Sequence, residues 1–199
     1  MAAMLRTLNP MLDMDPGCGP VSGPGPAPSG PPSVSCGASN VQQFVQTNNA
    51  AAATTAAALG IGGETGDADI LALSGVESGW GSFTGGFPGA YFGMQARVGA
   101  TFYPGETKCA TIWLDKDHKK AGNACEMEFS SFAAAAAAFA KAKGSIVNGA
   151  ADPTTFFSNL YQGAGYASQT FHTAAQYVKY MLTAWQMVDN CIQALGLVK

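Results

Sequence analysis

Residues 71–83 read LALSGVESGWGSF, an apolar helical stretch that ends on a single carboxylate and a glycine-rich turn. Apolar residues recur at helical spacing from Asp67 to Ser78, and Gly79 stands where a helix is expected to stop. An acidic residue in the first turn also suits the helix dipole. The stretch therefore predicts a helix over 67–78 with Glu77 in its last turn.

The position of Glu77 predicts a carboxyl group that holds its proton near neutral pH. The carboxyl end of a helix carries partial negative charge, which disfavours an ionised side chain. The neighbouring Val76 and Trp80 remove water from the group, which disfavours the same form. A raised pKa suits the general acid of a glycoside hydrolase, which must be protonated to donate to the leaving oxygen.

Composition divides the chain into an N-terminal arm, 1–38, and a folded domain, 39–199. Residues 15–35 are rich in Pro and Gly and hold too little apolar surface to form a core. Beyond them, apolar spacing predicts helices from 40, over 67–78 and 131–143, from 153, and over 170–195, with the alanine-rich stretch 50–59 either continuing the first helix or starting another. Two short strands are predicted at 109–114 and 125–129.

The order of these elements predicts an α+β fold, mainly α, with a small β-hairpin lobe inserted after the helix that bears Glu77. A formal net charge of -3 with no basic stripe argues against a nucleic-acid partner. No stretch is long and apolar enough to insert into a membrane. The first residues also lack the pattern of a signal peptide, so we expect secretion by a route that needs none.

The five cysteines leave two pairings open. Cys109 and Cys125 flank a polar turn and could staple a hairpin, while Cys18 and Cys36 could close the arm; reduced thiols are the alternative. With no Cys-x-x-Cys pair and two histidines, we expect no metal and no organic cofactor.

Three short motifs together resemble a known family. Glu77-Ser-Gly-Trp-Gly at a helix end is followed by Tyr91-Phe-Gly-Met-Gln and, before the last helix, by Gly165-Tyr-Ala. Their order and spacing are similar to those of the bacterial endo-β-N-acetylglucosaminidases of glycoside hydrolase family 73. These are lysozyme-like peptidoglycan hydrolases of flagellar assembly and of autolysins. The resemblance covers about residues 41–192.

The resemblance implies a lysozyme-like helical lobe facing a β-hairpin lobe across a substrate cleft. It implies cleavage of the β-1,4 bonds of the peptidoglycan glycan strand, and it favours endo-N-acetylglucosaminidase over muramidase activity. Glu77 takes the place of the catalytic acid. The positions that would bind substrate or support the acid are Trp80, Tyr91, Phe92, Gln95 and Tyr166.

Two departures from the family pattern leave the second catalytic group open. Ala90 stands where the family usually has Asn, and the Thr-x-Glu element that often carries a second carboxylate is missing. Asp115 is the first choice for that carboxylate, by its distance along the chain, followed by Glu106 and Asp117. Alternatively, the acetamido group of the substrate does this work.

The expected route of secretion suggests a delivered toxin. The chain resembles glycosidase effectors that type VI secretion machines inject into the periplasm of rival bacteria, and such effectors bind an immunity protein over the cleft. We therefore expect action on the cell wall of a target bacterium. The missing Thr-x-Glu motivates a different hypothesis, a catalytically inactive cell-wall-binding module of the same fold.

Overall fold

The computed structural model describes residues 35–61, 65–83, 87–97, 103–113, 120–164, 166 and 171–197. These contain five helices and a three-stranded sheet, so the predicted α+β, mainly α class is confirmed. The helices are α1 (Ser39–Leu59), α2 (Gly66–Ser78), α3 (Phe132–Val147), α4 (Pro153–Ala164) and α5 (Ala174–Ala194). No helix within these ranges is long and apolar enough to cross a membrane.

The first helix, α1, is a single element that includes the whole alanine-rich stretch. Alanine has the highest helix propensity, so nothing between 50 and 59 interrupts the helix. It ends at Gly60, which takes the left-handed conformation with φ 59° and donates its backbone N–H to the carbonyl of Ala57. Of the two predicted alternatives, the continuous helix is the one observed.

The second helix, α2, forms the centre of the fold. Ten of its 13 residues are buried, and it packs against α1 on one side and α5 on another. A helix that is apolar on nearly every face is expected in a core. Its observed bounds agree with the predicted 67–78 to within one residue, and it ends at Gly79 with φ 62° as predicted.

The later helices begin at local polar caps. The Ser131 hydroxyl accepts the Ala134 N–H at 3.2 Å, and the Thr173 hydroxyl accepts the Gln176 N–H at 3.3 Å. The Asp152 carboxylate accepts the Thr155 N–H at 2.9 Å. Each bond satisfies one N–H that a helix start leaves without a partner. Because Thr173 is the cap of α5, this helix begins at Ala174, four residues after the predicted start at 170.

The sheet has the order β1–β3–β2 and is antiparallel throughout. Its strands are β1 (Gln95–Arg97), β2 (Glu106–Trp113) and β3 (Lys120–Phe129). Strands β2 and β3 correspond to the two predicted strands but are longer, and β1 was not predicted. In the register, Glu126 of β3 lies between Gln95 of β1 and Ala110 of β2.

An aromatic cluster joins the segment before β1 to helices α1 and α3. The ring of Phe132, at the start of α3, meets Phe44 of α1 at 5.9 Å and Phe92 at 5.6 Å between centroids. Phe92 in turn stacks on Phe139 at 4.9 Å. Such contacts add to the free energy gained from burial alone. They fix the segment that leads into β1 against the helical lobe.

A disulfide joins Cys36 to Cys191 and so ties the chain just before α1 to the end of α5. The predicted Cys18–Cys36 pair is therefore wrong, because distance along the chain does not show which helix ends meet in space. Cys125 is disulfide-bonded as well. Cys18 lies outside the described residues.

Replacing both Cys36 and Cys191 by Ser is expected to lower the free energy of unfolding by about 2–4 kcal/mol, because the bridge closes a long loop in the unfolded chain. Urea unfolding without reductant measures the loss, with wild type as the reference. Equal unfolding midpoints for the two proteins would contradict the pairing.

Candidate active site

The chain turns sharply after Glu77 through a run of left-handed residues. Gly79, Trp80 and Gly81 have φ of 62°, 59° and 77°. The Trp80 N–H donates to the carbonyl of Gly75 at 2.7 Å, which closes the helix end. A tryptophan with positive φ is uncommon and costs backbone energy, which the surrounding contacts must offset. The turn is thus held by specific contacts.

The side chain of Trp80 covers the last turn of α2. A side chain added at Gly75 would overlap the Trp80 ring, so the glycine is what allows this contact. The ring also meets Phe44 edge-on at 5.9 Å. Trp80 therefore lies against the helix that bears Glu77, and its role as a support for the acid stays a prediction.

Glu77 is half-buried at the end of α2. Although part of its surface stays open to solvent, the surrounding protein keeps enough water away to raise its pKa from 4.5 to about 8. The negative charge of Glu126 acts in the same direction and more weakly. The raised pKa favours the protonated form of Glu77, the form that a proton donor needs.

The second carboxylate that the structure brings to Glu77 is Glu126, in the central strand β3. It is 2% exposed, and burial raises its pKa to about 7, with Glu128 adding to the rise. Gln95, opposite it in the register, forms a hydrogen bond that lowers the pKa. One of its carboxylate oxygens has no hydrogen-bond partner among the described residues.

The three residues predicted as the second catalytic carboxylate are not found beside Glu77 among the described residues. Asp115 and Asp117 lie outside the described residues, so their role stays a prediction. Glu106 lies at the far end of β2, opposite Phe129, and its carboxylate accepts the Tyr103 N–H at 3.0 Å. The Glu106 carboxylate thus stabilises the turn before β2. The charge that acts on Glu77 comes from Glu126, which the sequence analysis missed.

The third motif joins the second through Tyr166. Its hydroxyl donates to the carbonyl of Phe92 at 2.9 Å. Tyr166 is 9% exposed, and its pKa is raised well above the usual value, first by burial and then by the charge of Glu77. Tyr166 therefore lies near the carboxyl group, and the structure brings together one residue of each motif, Glu77, Phe92 and Tyr166.

The other residues predicted to contact the substrate differ in how far they are buried. Tyr91 is half-buried and packs edge-on against Phe83 at 5.0 Å, so part of its surface stays open to solvent. Phe92 is 1% exposed, and its ring lies in the core, where a substrate does not reach it. The Phe92 ring therefore does not make the contact with substrate that was predicted for it. Its backbone carbonyl instead accepts the hydrogen bond of the Tyr166 hydroxyl. Gln95 is exposed beside Glu126.

Two further tyrosines, on the first turns of α5, face the same carboxyl group. The hydroxyls of Tyr177 and Tyr180 are buried and have no hydrogen-bond partner among the described residues. Burial raises the pKa of both groups, and the charge of Glu77 raises both further. The sequence analysis named neither tyrosine as a site residue.

The described part of the chain gathers no group of three or more His, Cys, Asp or Glu side chains that could hold a metal ion.

Comparison with known proteins supplies a fold. No family model and no curated protein matches this chain. Among solved structures, a chain in the structure of a type VI secretion system effector–immunity complex from Pseudomonas protegens is similar, with a TM-score of 0.59 and 21% identity. The match spans 79% of this chain and 97% of that chain. At this identity the similarity shows a shared fold.

Glu77→Gln is expected to stabilise the protein more at pH 8 than at pH 5. Because burial raises the folded-state pKa from 4.5 to about 8, the stability that the protonated carboxyl allows is present below 4.5 and is lost as pH rises towards 8. Glutamine does not ionise. Urea unfolding of both proteins across this range measures the effect, and a difference in midpoint that does not change with pH would contradict it.

Proposed function

We propose that this chain is a glycoside hydrolase that cleaves β-1,4 bonds in the glycan strand of peptidoglycan, with endo-N-acetylglucosaminidase activity favoured over muramidase activity. The observation that carries the proposal is a carboxyl group, Glu77, that is partly open to solvent, has a raised pKa and lies beside a second, buried carboxyl group. Paired carboxyl groups are what most glycosidases use.

In this proposal, Glu77 donates its proton to the glycosidic oxygen as the bond from that oxygen to the anomeric carbon breaks. Positive charge develops on the sugar ring, and the charge of the Glu126 carboxylate, buried beside Glu77, stabilises it. A water molecule then adds to the anomeric carbon and returns a proton to Glu77. The hydrogen bond with Gln95 lowers the pKa of Glu126, which is about 7 against about 8 for Glu77. As pH rises through the neutral range, Glu126 therefore ionises before Glu77.

Recognition of the glycan would rest on the cleft, since the charge of the whole protein does not favour an anionic wall. The net charge of -3 gives no general attraction to such a polymer. Tyr91 and Gln95, both open to solvent at least in part, instead offer an aromatic ring and a polar amide near Glu77 and Glu126. Sugars are well matched to such a mixture of rings and hydrogen-bonding groups.

We also propose that the protein is an antibacterial effector delivered by a type VI secretion system to the cell wall of a target bacterium. The fold shared with a chain from such an effector–immunity complex supports this. A cognate immunity protein that covers the cleft would then be its protein partner. Covering the half-buried Glu77 would be enough to block activity.

Purified peptidoglycan sacculi test the catalytic proposal. Wild type is expected to release fragments that carry reduced glucosamine ends after borohydride treatment, as seen by mass spectrometry. Glu77→Gln and Glu126→Gln should each be slower by about a hundredfold or more, the usual contribution of acid–base catalysis. Glu106→Gln is the matched control, a carboxyl group of the same lobe that should leave the rate near wild type.

Different outcomes separate the alternatives. Reduced muramic acid ends would identify a muramidase. A rate near wild type for Glu126→Gln together with loss of activity in Asp115→Asn would return the second role to Asp115. Folded wild type that binds sacculi and releases no fragments would overturn the catalytic proposal in favour of a binding module.

A further inference from the structure

Two buried hydroxyls lack the hydrogen bonds that buried polar groups normally make. Tyr177 is 1% exposed, and neither its hydroxyl nor that of Tyr180 has a partner among the described residues. Burying a hydroxyl without a hydrogen bond costs free energy, and native structures seldom retain such groups without a reason. A phenylalanine would fill the same space without that cost, so the hydroxyls point to a function.

The packing of α2 against α5 places these hydroxyls beside Glu77. At the other end of the same contact, the Trp185 N–H lies close enough to Asp69 to lower its pKa, although no hydrogen bond of normal geometry joins the two. Glu77 lies eight residues after Asp69, and Tyr177 eight residues before Trp185. Asp69 meets Trp185 and the charge of Glu77 acts on Tyr177, so equal steps of eight residues, about 12 Å, separate the two contacts on both helices.

The groups that face Glu77 come from three sides. Glu126 approaches from strand β3, Tyr166 from the segment before α5, and Tyr177 and Tyr180 from α5 itself. The Tyr166 hydroxyl is already used, because it donates to a backbone carbonyl. Among these neighbours, the α5 hydroxyls are the donors still free to turn towards the carboxyl group.

We propose that Tyr177, assisted by Tyr180, is a positioning residue that donates a hydrogen bond to Glu77 as this group loses its proton. The proposal rests on the proposed function in one respect, that Glu77 gives its proton to a glycosidic oxygen. One Glu77 oxygen delivers the proton while the other accepts the tyrosine O–H. The hydrogen bond fixes the direction of the carboxyl group and stabilises the negative charge left on it.

Stability measurements test this contact without any substrate. Tyr177→Phe is expected to leave the urea midpoint unchanged or higher at pH 5, where Glu77 is protonated and the lost hydroxyl had no partner. At pH 9, where Glu77 is ionised, the same change should lower the midpoint. In a Glu77→Gln background, Tyr177→Phe should have the same effect at both pH values. A pH-independent effect in the wild-type background would overturn the proposal.

Kinetics test the role in catalysis. In Tyr177→Phe, kcat on solubilised glycan strands should fall about tenfold, the size expected for a hydrogen bond to a charged group, with KM nearly unchanged. The high-pH limb of the rate profile should move to higher pH, because a donor that favours ionised Glu77 is gone. Tyr177→Phe/Tyr180→Phe removes both hydroxyls, and wild-type kcat and pH profile in this double variant would overturn the proposal.

Tyr161→Phe is the control for a purely structural tyrosine. The Tyr161 hydroxyl donates to the carbonyl of Phe171 at 2.7 Å, and its ring packs on Tyr177. Its loss should lower stability equally at pH 5 and pH 9 and leave the rate profile in place. If wild type cuts no glycan while the pH-dependent coupling of Tyr177 to Glu77 is found, the contact stands and the proposed function fails.

Discussion

The central constraint is that the fold places an ionisable group at the end of its most buried helix. Helix α2 lies between α1 and α5 with nearly all of its surface enclosed. A carboxyl group at its carboxyl end meets low polarity and the negative end of the helix dipole. The pKa of Glu77 near 8 is a consequence of where the helix ends, and Gly79 sets that end.

Buried polar groups without hydrogen bonds lower the stability of the folded protein around Glu77. Glu126 is buried beside it with one oxygen lacking a hydrogen bond, and the hydroxyl of Tyr177 lacks one as well. At the start of α2, burial also raises the pKa of Asp69 to about 8. Sites that carry out chemistry often hold such groups, whereas a region that serves packing alone would replace them with apolar side chains. The aromatic cluster around Phe132 helps to offset this cost.

Helix ends and the acid could be predicted because their signals are local. Glycine at 60 and 79 ends a helix through its own backbone, and a carboxylate after an apolar run is visible in the sequence. Glu126 could not be found in this way, because its role depends on a strand that pairs with Gln95 thirty-one residues earlier. Two glutamates in an apolar strand, CEMEF at 125–129, were the available signal: alternation places Glu126 and Glu128 on one face.

The measurement that tests the central claim most directly is a carbon-13 NMR titration of the Glu77 carboxyl group, with its resonance assigned by its loss in Glu77→Gln. A midpoint near 8 in wild type, falling in Glu126→Gln because a neighbouring negative charge is gone, is the predicted result. A midpoint near 4.5, the value of a solvated glutamate, would show that the fold does not hold a protonated acid at neutral pH and would contradict the account.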